Sequence, residues 1–428
     1  MLDVKWIRVH PEQVQEAADQ KGIAISIETL IEADERKRQL QQDVDGLRCR
    51  RNAESQVIGQ LMKQGEQEQA EERRAAVKLI NEQLAAMEQE LAEVGQRVTE
   101  LMLLVPNIVS ADTPLGRSDA DNVEVKRVGE PLLPDFELKD HVALGELHDI
   151  IDIPRGVKTA GTRNYYLKGA GVLLHRAVQQ LAVDLLLRKG FPLLDVPLMV
   201  RAEALENTAF FPLGKDQTYA IADEDSWLVG TSEVPLVSYY ANEVVDLTAP
   251  KLLAAVSTCF RSEVGSAGRD VTGLYRVHQF AKVEQVVLCE ADPAVSERLH
   301  QEITANAEEL LQLLELPYRV MAVCTGDMSQ KTYKQFDIET WMPSRQAYGE
   351  THSSSNLHDF QARRSNIRYR DPHGNLQYAH TLNNTAVASP RILIPLLENH
   401  QQADGSIRIP TALRPYMYGL ERIEAPQP

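Results

Sequence analysis

The stretch from Lys251 to Gln285 carries residue types that suit an anionic, planar ligand. Two β-rich runs, Leu252 to Glu263 and Leu274 to Cys289, flank the Gly-rich connection Gly265-Ser266-Ala267-Gly268-Arg269. That pattern predicts two antiparallel strands joined by a long loop. Strand alternation places Arg261 and Glu263 on one face of the first run. On the returning run it groups Arg276, His278, Phe280, Lys282 and Glu284, while Tyr275, Val277, Ala281 and Val283 point the other way. Guanidinium forks grip phosphate, and an aromatic ring can stack on a base. The same residues also suit a salt-bridged sheet surface, and the stretch alone leaves both readings open.

Three further stretches carry chemistry-bearing residues. Gly230-Thr231-Ser232-Glu233, read as a strand, puts Thr231 and Glu233 on one face, where a carboxylate and a hydroxyl would meet an ammonium. A helix-capping role fits those residues as well. Glu350 to Asn356 reads ETHSSSN. It offers either oxygen ligands for a magnesium ion or a polar turn. His380 to Glu398 reads as a segment whose second half is a helix opening at Pro390. Arg391 would then sit where the helix dipole and the guanidinium both meet phosphate, or would form a surface pair. The phosphate loops of the common nucleotide folds, G-x-x-x-x-G-K-[ST] and G-x-G-x-x-G, are missing.

The elements that must position these groups fall into two parts. Before about Leu30 the chain reads as a small helical cap, with Pro11 at a first helical turn. Two long helices follow, roughly Thr29 to Met62 and Gln67 to Leu104. The second carries an unbroken heptad seam, Val77, Ile80, Leu84, Met87, Leu91, Val94, Val98 and Leu101, which predicts a coiled coil. The first has a weaker seam, Leu40, Val44, Leu47, Ile58 and Leu61, interrupted near Arg51 and Glu54. Lys63-Gln64-Gly65-Glu66 is a turn signal, so the simplest geometry is an antiparallel hairpin. Arg36, Lys37, Arg38, Arg48, Arg50 and Arg51, with Arg73, Arg74 and Lys78 opposite, give it a moderate basic patch. It reads as a dimerisation rod or as a probe for a long, charged partner. The helical signal ends at Leu104-Val105-Pro106-Asn107, and a Pro-, Gly- and Asp-rich link runs to about Pro134. Beyond it helices and strands mix. Ala170 to Lys189 is an amphipathic helix stopped by Gly190, and Phe191 to Val200 is a strand whose Pro192 and Pro197 confine it to an edge or interface.

Formal net charge is −17 over 428 residues, so a nucleic-acid partner must be met by local basic patches. The four cysteines, Cys49, Cys259, Cys289 and Cys324, are dispersed without a C-x-x-C pair. No zinc site and a reduced, cytoplasmic setting are therefore expected. The first residues lack the apolar core of a signal peptide. No apolar run approaches the length of a membrane-spanning helix, and no membrane association is expected.

Together these stretches resemble bacterial seryl-tRNA synthetases over essentially the whole chain. Gly190-Phe191 through Pro197 resembles class II motif 1, which lies at the family's homodimer interface. Phe260-Arg261-Ser262-Glu263 with Arg276-Val277-His278-Gln279-Phe280 resembles motif 2, and Ser389-Pro390-Arg391 resembles motif 3. Asp359-Phe360-Gln361-Ala362-Arg363-Arg364 and Arg414-Pro415-Tyr416-Met417 match stretches of the seryl branch. The resemblance implies an α+β fold. An N-terminal antiparallel coiled-coil arm (about 29–104, within residues 1–110) and a linker (111–134) precede a class II catalytic domain (135–428). That domain is built on an antiparallel β-sheet flanked by helices. Asp327-Met328-Ser329-Gln330-Lys331 is similar to a loop of class I synthetases, but without its partner histidine motif it reads as a surface loop.

The resemblance also implies roles. The catalytic residues are Arg261, Glu350 and Arg391. Thr231, Ser232, Glu233, Glu284 and Thr385 would bind L-serine, with Glu233 on its amino group and Glu284 and Thr385 at its hydroxyl. ATP would be held by Arg261, Ser262, Glu263, Val277, Phe280, Glu350, Thr351, His352, Ser353 and Arg391, with Phe280 under adenine. Glu350 and Ser353 would hold Mg2+. The partners would be tRNA(Ser) and tRNA(Sec), probed by the arm, and a second copy of the chain. Serine would be attached through seryl-adenylate to the 3′-terminal adenosine. The chain departs from the family at His352, where a serine is usual, at Pro390, where glycine is common, and at Asn164, where an aromatic is common. A tRNA-independent ligase charging a carrier protein would lack the long arm. A coiled-coil scaffold with a decayed catalytic domain would not keep Arg261, Glu350 and Arg391.

Overall fold

Two short helices open the helical unit. Asp3 caps the first, α1 (Val4–Val9), by accepting from the Lys5 N–H, and Pro11 begins the second, α2 (Pro11–Gln20). In this computed structural model, which describes residues 1–131, 134–264 and 273–425, contacts divide the chain into two units. The helical one comprises Asp3–Asp19 and Ile23–Val105. Ser26 caps α3 (Ile27–Gln64) through the Thr29 N–H, and Gly65, at φ +81°, reverses the chain into α4 (Gln67–Leu104). Each long helix has 38 residues, about 57 Å at a rise of 1.5 Å per residue. Every residue of the α4 seam is buried or half-buried, as are Leu40 and Val44 of α3. The interruption of the α3 seam has a cause: Glu54 accepts from Arg73 of α4 at 2.9 Å. Much of the basic patch is likewise spent inside the hairpin, Arg36 on Glu90 and Arg48 on Glu88. Lys37, Arg50 and Lys78 make no ion pair with described residues.

The second unit is organised on one eight-stranded sheet. Its strands in chain order are β1 (Val123–Val128), β2 (Leu193–Leu194), β3 (Lys251–Phe260), β4 (Gln279–Cys289), β5 (Tyr318–Ala322), β6 (Lys334–Met342), β7 (Ala347–Asn356) and β8 (His380–Ser389). The spatial order is β1-β5-β6-β7-β8-β4-β3-β2, antiparallel throughout except for the parallel edge pair β2–β3. The predicted strand at Phe191 to Val200 shrinks to β2 and an isolated pair at Met199–Val200, because Pro192 and Pro197 supply no N–H for a ladder. The helices α5 (Ala170–Arg188), α6 (Glu233–Ser238), α7 (Pro293–Leu313) and α8 (Leu393–His400) complete what the site needs. By length and composition α5 is apolar enough to cross a membrane, against the sequence expectation. Leu174, Val178, Leu181 and Leu185 instead sit in the main core, with Val283 and Val287 of β4 and Leu310 of α7.

Alternation along β4 builds the site. Val283 and Val287 face that core, while Val286 and Leu288 enter a second apolar cluster on the opposite face with Leu253, Ala255 and Leu236. Lys282 and Glu284 share this second face. It therefore changes from apolar to charged along its length.

Candidate functional site

The charged part of that face floors a cleft of about 320 Å3. Arg261 and Glu263 enter it just beyond β3, Glu350 to Ser353 from β7, Thr385 from β8, and Arg391 from the turn after β8. Val277, Phe280, Glu284, Thr231 and Glu233 also line it. Two expected residues do not. Ser232, at the N-terminal end of α6, is fully buried, and the Ser262 hydroxyl donates to the Asp216 carbonyl at 2.9 Å.

The local structure around these residues differs from the sequence reading in five places. The return strand begins at Gln279, not Leu274, so Arg276 and His278 are not strand residues. Backbone groups there are bonded elsewhere: His278 N–H to the Arg163 carbonyl, and the Tyr275 carbonyl to Arg391. Gly265 to Arg269 lies outside the described residues. Thr231 to Glu233 is not a strand; the Thr231 hydroxyl accepts from the Glu233 N–H, and the Ser232 carbonyl accepts from Leu236 inside α6. Glu350 to Asn356 is not a turn but most of β7, paired with β6 and β8. The last helix opens at Leu393, because Pro390 to Ile392 form a turn closed by Leu393 N–H on the Pro390 carbonyl. Finally, Asp327 to Lys331 is no surface loop: Asp327, Ser329 and Lys331 line the cleft, and Lys331 is buried.

Lys331 was not legible as a site residue, and it decides the charge at one end. Its ammonium donates to Glu233 Oε1 at 2.6 Å and lies 3.8 Å from the Phe210 ring centroid. Gln361 donates to the same oxygen at 2.7 Å, so neither bond uses Oε2. Beside it Lys282 pairs with Glu284 and donates to the Thr231 hydroxyl at 2.7 Å. Glu284 and Thr385 are directly opposed in the β4–β8 ladder. Burial pushes the Glu284 carboxyl upward, Lys282 opposes this, and the nearby Glu233 charge adds to it. Burial pulls the Lys331 ammonium downward, against the pull of Glu233. Two buried carboxylates and two buried ammoniums thus balance, with a hydroxyl, an amide and a ring around them.

The second grouping surrounds Arg391. Its Nε donates to the Tyr275 carbonyl at 3.0 Å, and its Nη1 to the Glu350 carbonyl at 3.1 Å and carboxylate at 3.4 Å. Arg261 donates to the Gly230 carbonyl at 3.3 Å and lies 5.2 Å from the Phe280 ring centroid. Asp337, across from Ser353 in the β6–β7 ladder, is pushed well above the usual carboxylate range, by burial first and then by the Glu350 charge. Two carboxylates that repel one another beside a hydroxyl form an all-oxygen donor set suited to a hard divalent cation. The residues therefore fit Mg2+. Among the described residues no group of three His, Cys, Asp or Glu forms a cage. Magnesium is commonly held by one or two carboxylates plus substrate phosphates. Burial lowers the His352 imidazole to about 4, and the Thr351 hydroxyl lies 2.8 Å from its Nδ1.

Residues 1–109 match the seryl-tRNA synthetase N-terminal domain, and residues 219–400 the class II tRNA synthetase core domain of the G, H, P, S and T enzymes. The serine–tRNA ligase of Deinococcus radiodurans is 45% identical over 100% of both chains. The chain belongs to the seryl-tRNA synthetase family. Its activity is serine–tRNA ligation. The crystal structure of the seryl-tRNA synthetase of Pyrococcus horikoshii, complexed with ATP, covers 100% of both chains at a TM-score of 0.92 and 36% identity. The cytoplasmic serine–tRNA ligase of Naegleria fowleri, in complex with AMP, covers 100% of this chain and 99% of its own at 0.86 and 27%. The helical hairpin and the class II antiparallel sheet are thus features this synthetase shares with its relatives.

Proposed function

We propose that the cleft activates serine as an adenylate and passes it to the 3′-hydroxyl of the terminal adenosine of tRNA(Ser). One observation carries this reading. The groups suited to phosphate (Arg261, Arg391), the carboxylate suited to its metal ion (Glu350) and those suited to serine (Thr231, Glu233, Glu284, Thr385) line one cavity of about 320 Å3. The serine carboxylate attacks the α-phosphorus of ATP in line, an O–P bond forms, and pyrophosphate leaves with the electron pair of the broken P–O bond. The chain supplies position and charge compensation more than proton transfer. Arg261 meets the α-phosphate, Phe280 stacks under adenine with the Val277 backbone alongside, and Arg391 meets the far phosphates. Glu350 and Ser353 would hold Mg2+, which when bound offsets phosphate charge.

Glu233 Oε2 takes the serine ammonium, while Lys331 and Gln361 fix the other oxygen. Glu284 and Thr385 receive the hydroxyl. The hairpin unit probes the long variable arm of tRNA(Ser) and of tRNA(Sec), which the same reaction serylates. A second copy of the chain packs at the β2 edge. Leu193 at 45%, Met199 at 61% and Tyr239 at 59% exposure support that interface. The test is serine-dependent pyrophosphate exchange. Arg261→Ala lowers it roughly 10²–10³-fold, the cost of losing one donor aimed at developing charge. Wild-type exchange in that variant would remove Arg261 from the mechanism.

A further inference from the structure

We infer that His141 and Glu398, neither of which lines the cleft, form a buried positioning pair for Arg391. The inference rests on the reading of Arg391 as the contact for the far phosphates. The side chains of His141 and Glu398 are 8% and 0% exposed. His141 Nε2 accepts from the Leu274 N–H at 3.2 Å. A nitrogen that accepts carries the lone pair, so the ring proton sits on Nδ1 and is donated to Glu398 Oε1 at 3.0 Å. The same oxygen accepts from the His141 N–H, and Oε2 accepts from the Ser344 N–H, each at 3.0 Å.

Glu398 therefore holds two separate backbone segments, one directly and one through the imidazole. The Leu274 segment leads to Arg391 through Tyr275, the Ser344 segment through Arg345 and then the Tyr275 ring. Leu274 precedes Tyr275, whose carbonyl accepts from Arg391 and whose ring centroid is 4.5 Å from that guanidinium. Ser344 precedes Arg345, whose guanidinium is 4.3 Å from the same ring. The approach of His141 to this segment also explains Gly273. At φ +86°, a Cβ there would stand 2.5 Å from His141 Nε2. Moving either Leu274 or Ser344 displaces Tyr275, and with it the carbonyl and ring that aim Arg391 at phosphate.

The experiment is a double-mutant cycle in serine-dependent pyrophosphate exchange, using the full chain. The variants are His141→Ala, Glu398→Gln and Arg391→Ala, each alone and each of the first two combined with Arg391→Ala. Glu398→Gln keeps the volume and one acceptor oxygen, so it stands in if His141→Ala fails to fold, as judged by thermal melting. Either variant should raise KM for ATP roughly 10- to 100-fold, the scale of a small misplacement, with KM for serine within about twofold. In the Arg391→Ala background the same substitutions should add little. Equal effects with and without Arg391, equal rises in both KM values, or no effect at all would overturn the positioning role. If Arg391→Ala alone leaves exchange unchanged, the reading of Arg391 has failed, and the inference falls with it.

Discussion

Glu284 and Thr385 stand directly opposite one another in the ladder between β4 and β8, both facing the cleft. A site built to hydrogen-bond a substrate hydroxyl rejects the analogue lacking it, because its own buried polar groups go unpaired. Glu284 is 1% exposed and Thr385 8%, so neither recovers a water partner easily. Glu284→Gln and Thr385→Val should each cut the preference for serine over alanine, which in the best analogous sites is roughly 10⁴–10⁵. The ratio of kcat/KM values for the two amino acids in pyrophosphate exchange measures it. An unchanged ratio in both variants would take the pair out of specificity.

Lys331 and Glu233 are the second buried pair, joined at 2.6 Å. Removing the ammonium leaves a buried carboxylate with only the Gln361 amide on Oε1. Breaking such a pair from one side costs about 3–5 kcal/mol. Lys331→Met should therefore lower the melting temperature and raise KM for serine, because Glu233 loses its orientation. Adding Glu233→Gln removes the orphaned charge, so the double variant should melt above Lys331→Met alone. A double variant no more stable than the single would mean the pair contributes no such charge balance.

Those pairs mark where the sequence is readable and where it is not. The α4 seam and the α5 face follow from local periodicity and appear where expected, and the β3–β4 pair forms with a return strand shorter than its pattern. Arg261 and Arg391 are legible through motifs 2 and 3, and Glu350 only through the family resemblance; the cleft brings the three together. Lys331 is not, because its meaning lies in Glu233, 98 residues away, and nothing local distinguishes a buried lysine from one in a solvated loop. His141 and Glu398 are silent for the same reason, being 257 residues apart. Strand ends fail differently. Residues 274 to 278 alternate like a strand, yet His141, Arg391 and Arg163 take their backbone groups, and tertiary hydrogen bonds override the pattern.

Acid should loosen this fold in part through His300. It is fully buried, stacks on Phe336 with centroids 5.2 Å apart, and burial lowers it to about 4. Below the unfolded value of 6.5 the unfolded chain takes a proton that the folded chain refuses until about pH 4. Stability from this group is thus complete above pH 6.5 and falls as pH drops toward 4. Between pH 7 and 5 the loss is about 2 kcal/mol. His300→Leu should lose less stability than wild type over that range by about that amount, read from urea midpoints. Identical pH slopes would show that His300 is not the group responsible.

The hairpin gives the last prediction. Its inter-helix ion pairs, Arg36–Glu90, Arg48–Glu88 and Arg73–Glu54, join its own two helices. The charges left for a partner are few, among them Lys37, Arg50 and Lys78. Double-helical RNA hides its base edges in a deep groove, so a rod with scattered cations reads backbone and shape rather than sequence. Each phosphate contact it makes releases counterions, so binding weakens steeply with salt. None of the cleft residues belongs to the helical unit. Deleting Glu32 to Glu100 should therefore leave pyrophosphate exchange near wild type and abolish charging of tRNA(Ser). The combined charge removal at Lys37, Arg50 and Lys78 should raise KM for tRNA and flatten its salt dependence, with kcat for adenylation unchanged. Normal charging by the truncated chain would mean that the rod does not hold tRNA.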